Sequence, residues 1–172
     1  MIIIQYYSTP IGELVLGAYD GKICLCDWRY RKRRSEVDHR VQGHLQSTYE
    51  LGDVPILQTL KNQLEAYFAG ERKDFDLPLQ LCGSDFQQSV WGELVNIPYG
   101  ETVSYLELSR NLGNEKAIRA VASANGANAI SILVPCHRVI GSNGELTGYA
   151  GGINAKKRLL QLERALPQLD LF

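Results

Sequence analysis

The sequence predicts an N-terminal α/β unit, an antiparallel sheet with a packed helix, followed by a mainly α unit that contains a helix-turn-helix. Three observations carry this reading. Short runs rich in β-branched and aromatic residues occupy positions 2–7, 13–19 and 22–28. A single amphipathic helix pattern follows at 56–68, and from Ser84 onward helix caps and helical spacing replace strand spacing. With 172 residues, 45% of them hydrophobic and 22% charged, the chain can bury either one large core or two smaller ones that share an interface, and disorder is excluded.

The first three runs are separated by Thr9-Pro10-Ile11-Gly12 and by Asp20-Gly21, a two-residue hairpin signal, so they read as an antiparallel meander. Residues 29–53 are polar and poorly periodic and are expected to be mostly loop with a short helix, placing His39 and His44 in loops. Leu57, Leu60, Leu64 and Tyr67/Phe68 then fall on one helical face, with Gly70 where a C-terminal cap belongs. The charged stretch from Glu71 to Pro78 leads to Cys82-Gly83, which sets the predicted boundary: 1–82 for the first unit and 83–172 for the second.

In the second unit Ser84-Asp85-Phe86-Gln87 and Ser104-Tyr105-Leu106-Glu107 both have capping-box spacing. Pro98 and Gly100 end the first of these helices. The second, with Leu108 and Leu112 inward, turns at Gly113-Asn114 into a third that carries Ile118 and Val121, forming the helix-turn-helix candidate. The Gly/Asn-rich run 124–128 is expected to stop that helix, and Ile130-Ser131-Ile132-Leu133-Val134 reads as a short buried strand. A final helix is expected from about Asn154 to Ala165.

Charge and cysteine usage exclude several classes. The net charge is -1 and divides evenly, ten Lys/Arg against eleven Asp/Glu in 1–83 and eight against eight in 84–172, so any nucleic-acid contact must come from local placement. The candidates are Arg31-Lys32-Arg33-Arg34, which also reads as a solvated loop, and the set Arg110, Lys116, Arg119. No signal stretch opens the chain and no apolar run approaches a bilayer span, which predicts a cytoplasmic protein without a membrane partner. Cys24, Cys26, Cys82 and Cys136 form no disulfide framework. Cys24 and Cys26 share a strand whose successive side chains face opposite ways, and no nearby His completes a zinc set, so no metal and no cofactor are expected.

The chemistry concentrates at Pro135-Cys136-His137. A thiolate is a nucleophile only once something has taken its proton, and His137 brings a titratable nitrogen to the same place. If the segment is extended, His137 reaches Cys136 through a bend or a bridging water. A carboxylate behind the imidazole would set its tautomer, and Glu163 in the last helix is a candidate by distance along the chain. A buried inert Cys beside a satisfied His stays open as the alternative, and it is the expected state of Cys24, Cys26 and Cys82.

Pro135-Cys136-His137-Arg138-Val139, with Ile140-Gly141-x-x-Gly144 and Gly148-Tyr149-Ala150-Gly151-Gly152, closely resembles the active-site block of the O6-alkylguanine-DNA alkyltransferase family. The resemblance extends upstream through 97–105, 117–121 and 125–128, and Tyr67-Phe68-Ala69-Gly70 is similar to the end of the family's N-terminal domain. It implies irreversible, once-only repair of O6-alkylguanine, or of O4-alkylthymine, in double-stranded DNA, with Cys136 as acceptor and His137, through a water, and Glu163 as relay.

The resemblance further implies that Asn128 braces the active-site turn and that Tyr105 helps rotate the nucleotide and bonds the base. Arg119 would fill the gap left by the flipped base while its helix lies in the minor groove, with Ser123 and Asn125 beside it on the DNA face. Tyr149, with Ala150, Val139 and Pro135, is expected to line the base pocket. Two departures are visible: Ala150 stands where some relatives have a serine, and the zinc set of some relatives' N-terminal domains is not evident. A monomer is expected. The rival readings are a Cys-His-Glu hydrolase, a lesion binder like the alkyltransferase-like proteins, which lack the acceptor cysteine, and a helix-turn-helix regulator.

Overall fold

The structure, a computed structural model, describes residues 1–166; the end of the predicted second unit, 167–172, lies outside the described residues. Strands β1 (Ile2–Thr9), β2 (Gly12–Tyr19) and β3 (Lys22–Trp28) form the expected meander, closed at Asp20-Gly21 with both residues at positive φ. Position 29–53, expected to be mostly loop, instead contains helix α1 (Arg34–Leu45) and strand β4 (Tyr49–Leu51). The short helix expected somewhere in this stretch could not be located or sized from sequence because only Val37 and Val41 are buried on it, too narrow an apolar stripe to show as a period. His39 and His44 are therefore exposed helical residues. Strand β4 adds parallel to β1, giving the order β3-β2-β1-β4, so the sheet is mixed at that edge.

Alternation along β2 sends Leu14, Leu16 and Ala18 to one face and Val15 to the other. The second face, with Ile2, Ile4 and Leu25, packs on α1. The first face packs on α2 (Pro55–Phe68) through Leu57, Leu60 and Leu64, and α2 ends as expected with Gly70 at φ +76°. A bulge where β3 meets Gly17/Ala18 makes Cys24 the extra residue, so Cys24 and Cys26 enter opposite cores although two residues apart. All four cysteines are free and buried.

Beyond the linker, α3 (Asp85–Leu94) begins with the complete Ser84/Gln87 capping box. At α4 (Tyr105–Asn111) only half of the expected box forms: Ser104 accepts from the Glu107 amide. The Gly/Asn-rich run does not stop α5 (Ile118–Gly126), whose C-terminal turn it supplies. A two-residue parallel pair, β5 (Val103–Ser104) with β6 (Val139–Ile140), ties the approach to α4 to the segment after Cys136. Helix α6 (Ile153–Leu162) is capped by Glu163.

One core runs through both halves: Leu14, Trp28 and Tyr67 share a cluster with Trp91, Leu94, Val121 and Cys136. Burial of this kind stabilises by roughly 25 cal/mol per Å² of apolar surface, so the site beneath it is rigid. The predicted strand 130–134 does not form. A single bridge joins Ile130 to Cys26, and the chain then turns with Ile132 at φ +73°, an uncommon conformation for a β-branched residue. The cause is local: the Asn128 side chain takes the Ile130 amide at 2.9 Å and the Val134 carbonyl at 2.8 Å, groups that a ladder would need.

Candidate active site

Cys136, His137 and Arg138 form one turn of 3-10 helix, not the extended segment expected, directly after the turn that Asn128 bridges. Three residues per turn separate adjacent side chains by about 120°, so Cys136 and His137 diverge while staying on one short turn. Asn125, expected on the DNA face, is largely buried but lines the open cleft in front of the turn, and its amide lies 3.4 Å from the Cys136 carbonyl. Its place on the helix is held from behind by Trp91, whose indole donates to the Ala124 carbonyl.

Behind the turn lies a buried carboxylate with four donors. Glu163 Oε2 receives His137 Nε2 at 2.8 Å, the Tyr67 hydroxyl at 2.5 Å and Arg138 Nη2 at 3.1 Å, while Oε1 receives Arg138 Nε at 2.8 Å. Burial opposes its charge, but the His137 and Arg138 partners outweigh that and hold it down at about 2. Burial pushes His137 the other way from a charged state, below its ordinary value, with Glu163 only partly offsetting because Arg138 and Lys156 add positive charge nearby. His137 is thus a neutral imidazole that donates from Nε2, and Nδ1 makes no hydrogen bond among the described residues. Cys136, 3% exposed, is raised by burial, against the opposing effects of the Asn128 amide and Lys156. Its resting form is the thiol, so its reaction needs a proton acceptor.

Tyr67 and Arg138 were missed as site residues; no sequence spacing links α2 to the end of α6, and only the fold brings them together. Lys156 was missed too. It is fully buried, pulled down to about 8 by burial, and its Nζ donates to the Val139 and Thr147 carbonyls, fastening the 147–152 loop to β6.

In front of the turn is an open cleft of about 1070 Å³. Arg119 and Ile118 from α5, Tyr105 from α4, and Tyr149 and Ala150 from the loop before α6 line it. Tyr149 is locked in place: Trp28 Nε1 donates to its hydroxyl at 3.1 Å, the two rings meet edge to face, and a Cβ on Gly151 would come within 2.6 Å of the Trp28 ring. The His137 ring stands 6.5 Å from the Tyr149 ring, edge to face. Tyr105 is loosely held by Thr147 at 3.4 Å. Ser123 is exposed, one turn beyond Arg119, but off the cleft. Two expected pocket residues are elsewhere: Val139 is fully buried in β6, and Pro135 lines a separate cleft of about 200 Å³ beside Tyr99.

Among the described residues no group of His, Cys, Asp and Glu is placed to hold a metal ion, and no helix is long and apolar enough to cross a membrane. Burial pushes Cys24 up to about 12 and Cys82 up to about 11, which makes both poor nucleophiles.

Family models place this architecture. The model described as 6-O-methylguanine DNA methyltransferase, DNA binding domain, matches residues 85–165, and that described as its ribonuclease-like domain matches 2–81. A methylated-DNA–protein-cysteine methyltransferase of Mycobacterium bovis is 58% identical over 171 residues, covering 99% of this chain and 98% of its own. The chain belongs to the 6-O-methylguanine DNA methyltransferase family. Within this methyltransferase family, the constitutive methylated-DNA–protein-cysteine methyltransferase of Bacillus subtilis is 44% identical over 164 residues, covering 93% of this chain and 96% of its own. Among solved structures, Mycobacterium tuberculosis OGT in complex with DNA superposes with a TM-score of 0.81 at 43% identity, covering 95% of this chain and 93% of that one.

Proposed function

We propose that the chain is a methylated-DNA–protein-cysteine methyltransferase that repairs duplex DNA by moving the alkyl group of O6-alkylguanine onto Cys136, once per molecule. The observation that carries the assignment of the acceptor is the state of His137: Nε2 is committed to Glu163, and Nδ1 is left as a lone-pair acceptor on the same turn as a buried thiol. The Cys136 proton passes, through a water, to His137 Nδ1, and Glu163 supports the imidazolium. The thiolate attacks the alkyl carbon, the C–O6 bond breaks, and guanine departs with the electron pair as an anion that takes up one proton, balancing the thiol proton that His137 returns to solvent. The products are a thioether and a repaired base, and water cannot reverse that bond.

Guanine O6 lies inside a stacked pair, so the nucleotide must leave the helix to reach Cys136. Arg119 is the side chain we assign to the vacated space, from the minor groove, with Ser123 on the same exposed face. Tyr149 and the Ala150 backbone form the wall against the base, and Tyr105 bonds it as it leaves. Asn128 braces the turn from behind, and Asn125 both reaches the Cys136 carbonyl and lines the cleft. We place the unit boundary at 82/83 and the protein in the cytoplasm, as a monomer.

Intact-protein mass spectrometry with peptide mapping, after mixing with excess O6-methylguanine duplex, tests this. One added methyl on Cys136, stopping at one equivalent, is the expected result. Transfer to another cysteine, or binding without any mass change, overturns it.

A further inference from the structure

The basic run 31–34 divides into an anchor and a tip. Arg31 is turned inward: its guanidinium bonds the buried Asp27 carboxylate at 3.2 Å, the Gly126 carbonyl at 2.9 Å and the Asn128 carbonyl at 3.4 Å. Arg34 bonds the same Asp27 at 3.0 Å and also Asp38. Arg40 on α1 bonds the Ala127 carbonyl at 2.5 Å. Three carbonyls at the C-terminal end of α5 thus take their donors from the N-terminal half, where the helix dipole favours cations. The loop between β3 and α1 is thereby fastened to the helix that carries Arg119.

Lys32 and Arg33, between the two anchors, are exposed. The Lys32 side chain makes no hydrogen bond or ion pair among the described residues, and Arg33 has only a solvent-exposed pair with Glu36. Arg33 also holds φ +63°, a left-handed conformation that the flanking anchors maintain. Tyr30, Lys32 and Arg33 line the same cleft as Arg119, Tyr105 and Tyr149, across from α5.

We propose that this dibasic tip is a second DNA-binding element, which contacts backbone phosphates of the duplex flanking the lesion while Arg119 works at the flipped base. The inference rests on the reading of the cleft as the DNA site. Two exposed cations on an anchored backbone beside that cleft, with the solvent-exposed Glu36 as the one carboxylate paired to them among the described residues, suit a polyanion. Anchoring through Arg31 removes the entropy that a free loop would lose on binding, so the tip contributes affinity without reading sequence.

Lys32→Ala combined with Arg33→Asn tests it, since Asn tolerates the left-handed conformation. The full chain is titrated with O6-methylguanine duplex between 50 and 200 mM salt, beside Arg119→Ala and a transfer assay with a small O6-alkylguanine free base. A duplex affinity lowered about tenfold, a salt slope reduced by about two, and unchanged free-base transfer support the proposal. Unchanged affinity and slope, with Arg119→Ala still impaired, overturn the tip and leave the cleft reading standing. If the unaltered protein neither binds the duplex nor accepts its alkyl group, both fall.

Discussion

The two sides of the Cys136 turn are built on opposite terms. Behind it, both Glu163 oxygens are buried and paired, with donors drawn from both halves of the chain: Tyr67 from α2, His137 and Arg138 from the turn. In front, Arg119 is exposed, Tyr105 has one long hydrogen bond, and the cleft is open. The difference teaches where each task belongs. The proposed proton transfer in a buried site needs fixed geometry and tolerates no unpaired charge, whereas a nucleotide must enter and leave through a surface that keeps its hydrogen-bonding capacity free. Changes behind the turn should therefore cost stability and rate together, and changes in front should cost transfer from duplex DNA while leaving stability intact.

The largest effect is expected from Glu163→Ala. It leaves Arg138 and His137 buried without their carboxylate, which costs about 3–5 kcal/mol of stability and abolishes useful transfer. Urea unfolding and single-turnover transfer measure both. A variant that folds with unaltered stability would break the comparison, because the relay would then be dispensable to the core.

Acid should act on the same group. Glu163 has an ordinary value of 4.5 and is held at about 2 in the fold, so its contribution is complete above about 4.5 and fades as pH falls toward 2. The loss is on the order of 3 kcal/mol. His137, also lowered, acts in the same direction from about 6.5 downward, because the unfolded chain takes that proton first. Glu163→Gln should be less stable at pH 7 but flatter between pH 4.5 and 2. Parallel curves for the two proteins would assign acid unfolding to other carboxylates.

On the open side, Arg119→Ala should slow transfer from duplex DNA by about 30-fold, the factor for roughly 2 kcal/mol of unstacking left uncompensated. Melting temperature and transfer from a free base should not change. Equal losses on both substrates would remove the flipping role and make the contrast between the two sides less sharp.

These regions also differed in how far the sequence exposed them. The meander, α2 and the Ser84 cap were legible because each rests on local signals: alternation, a 3.6 period, a cap pair. Cys136, His137 and Glu163 were legible as chemical types and through the family resemblance. Tyr67 was not, since its partner lies 96 positions away and nothing but packing joins them. Helix α1 was hidden by its narrow apolar stripe. The strand expected at 130–134 failed because Asn128 offers that backbone better-placed partners than a neighbouring strand would. Val139 and Pro135 lie off the cleft for a simpler reason: adjacency to a motif does not say which way a side chain turns.

The smallest effect, and the finest test of the buried side, is Tyr67→Phe. The ring stays packed against Phe68, Phe75 and Tyr99, so only the hydroxyl on Glu163 Oε2 is lost. A hydrogen bond to a buried carboxylate is worth about 1.5–3 kcal/mol, of which part is recovered as His137 and Arg138 tighten on the freed oxygen. With one donor fewer, Oε2 carries more negative charge toward Nε2, and the imidazolium becomes easier to form. The acid limb of the transfer rate should then move up by about half a pH unit, since in the proposed relay neutral His137 is the form that accepts the thiol proton. Transfer near pH 8 should change less than about fivefold. A lower melting temperature with an unmoved acid limb would mean that Tyr67 only fills space, and that the N-terminal half supports the relay by packing alone.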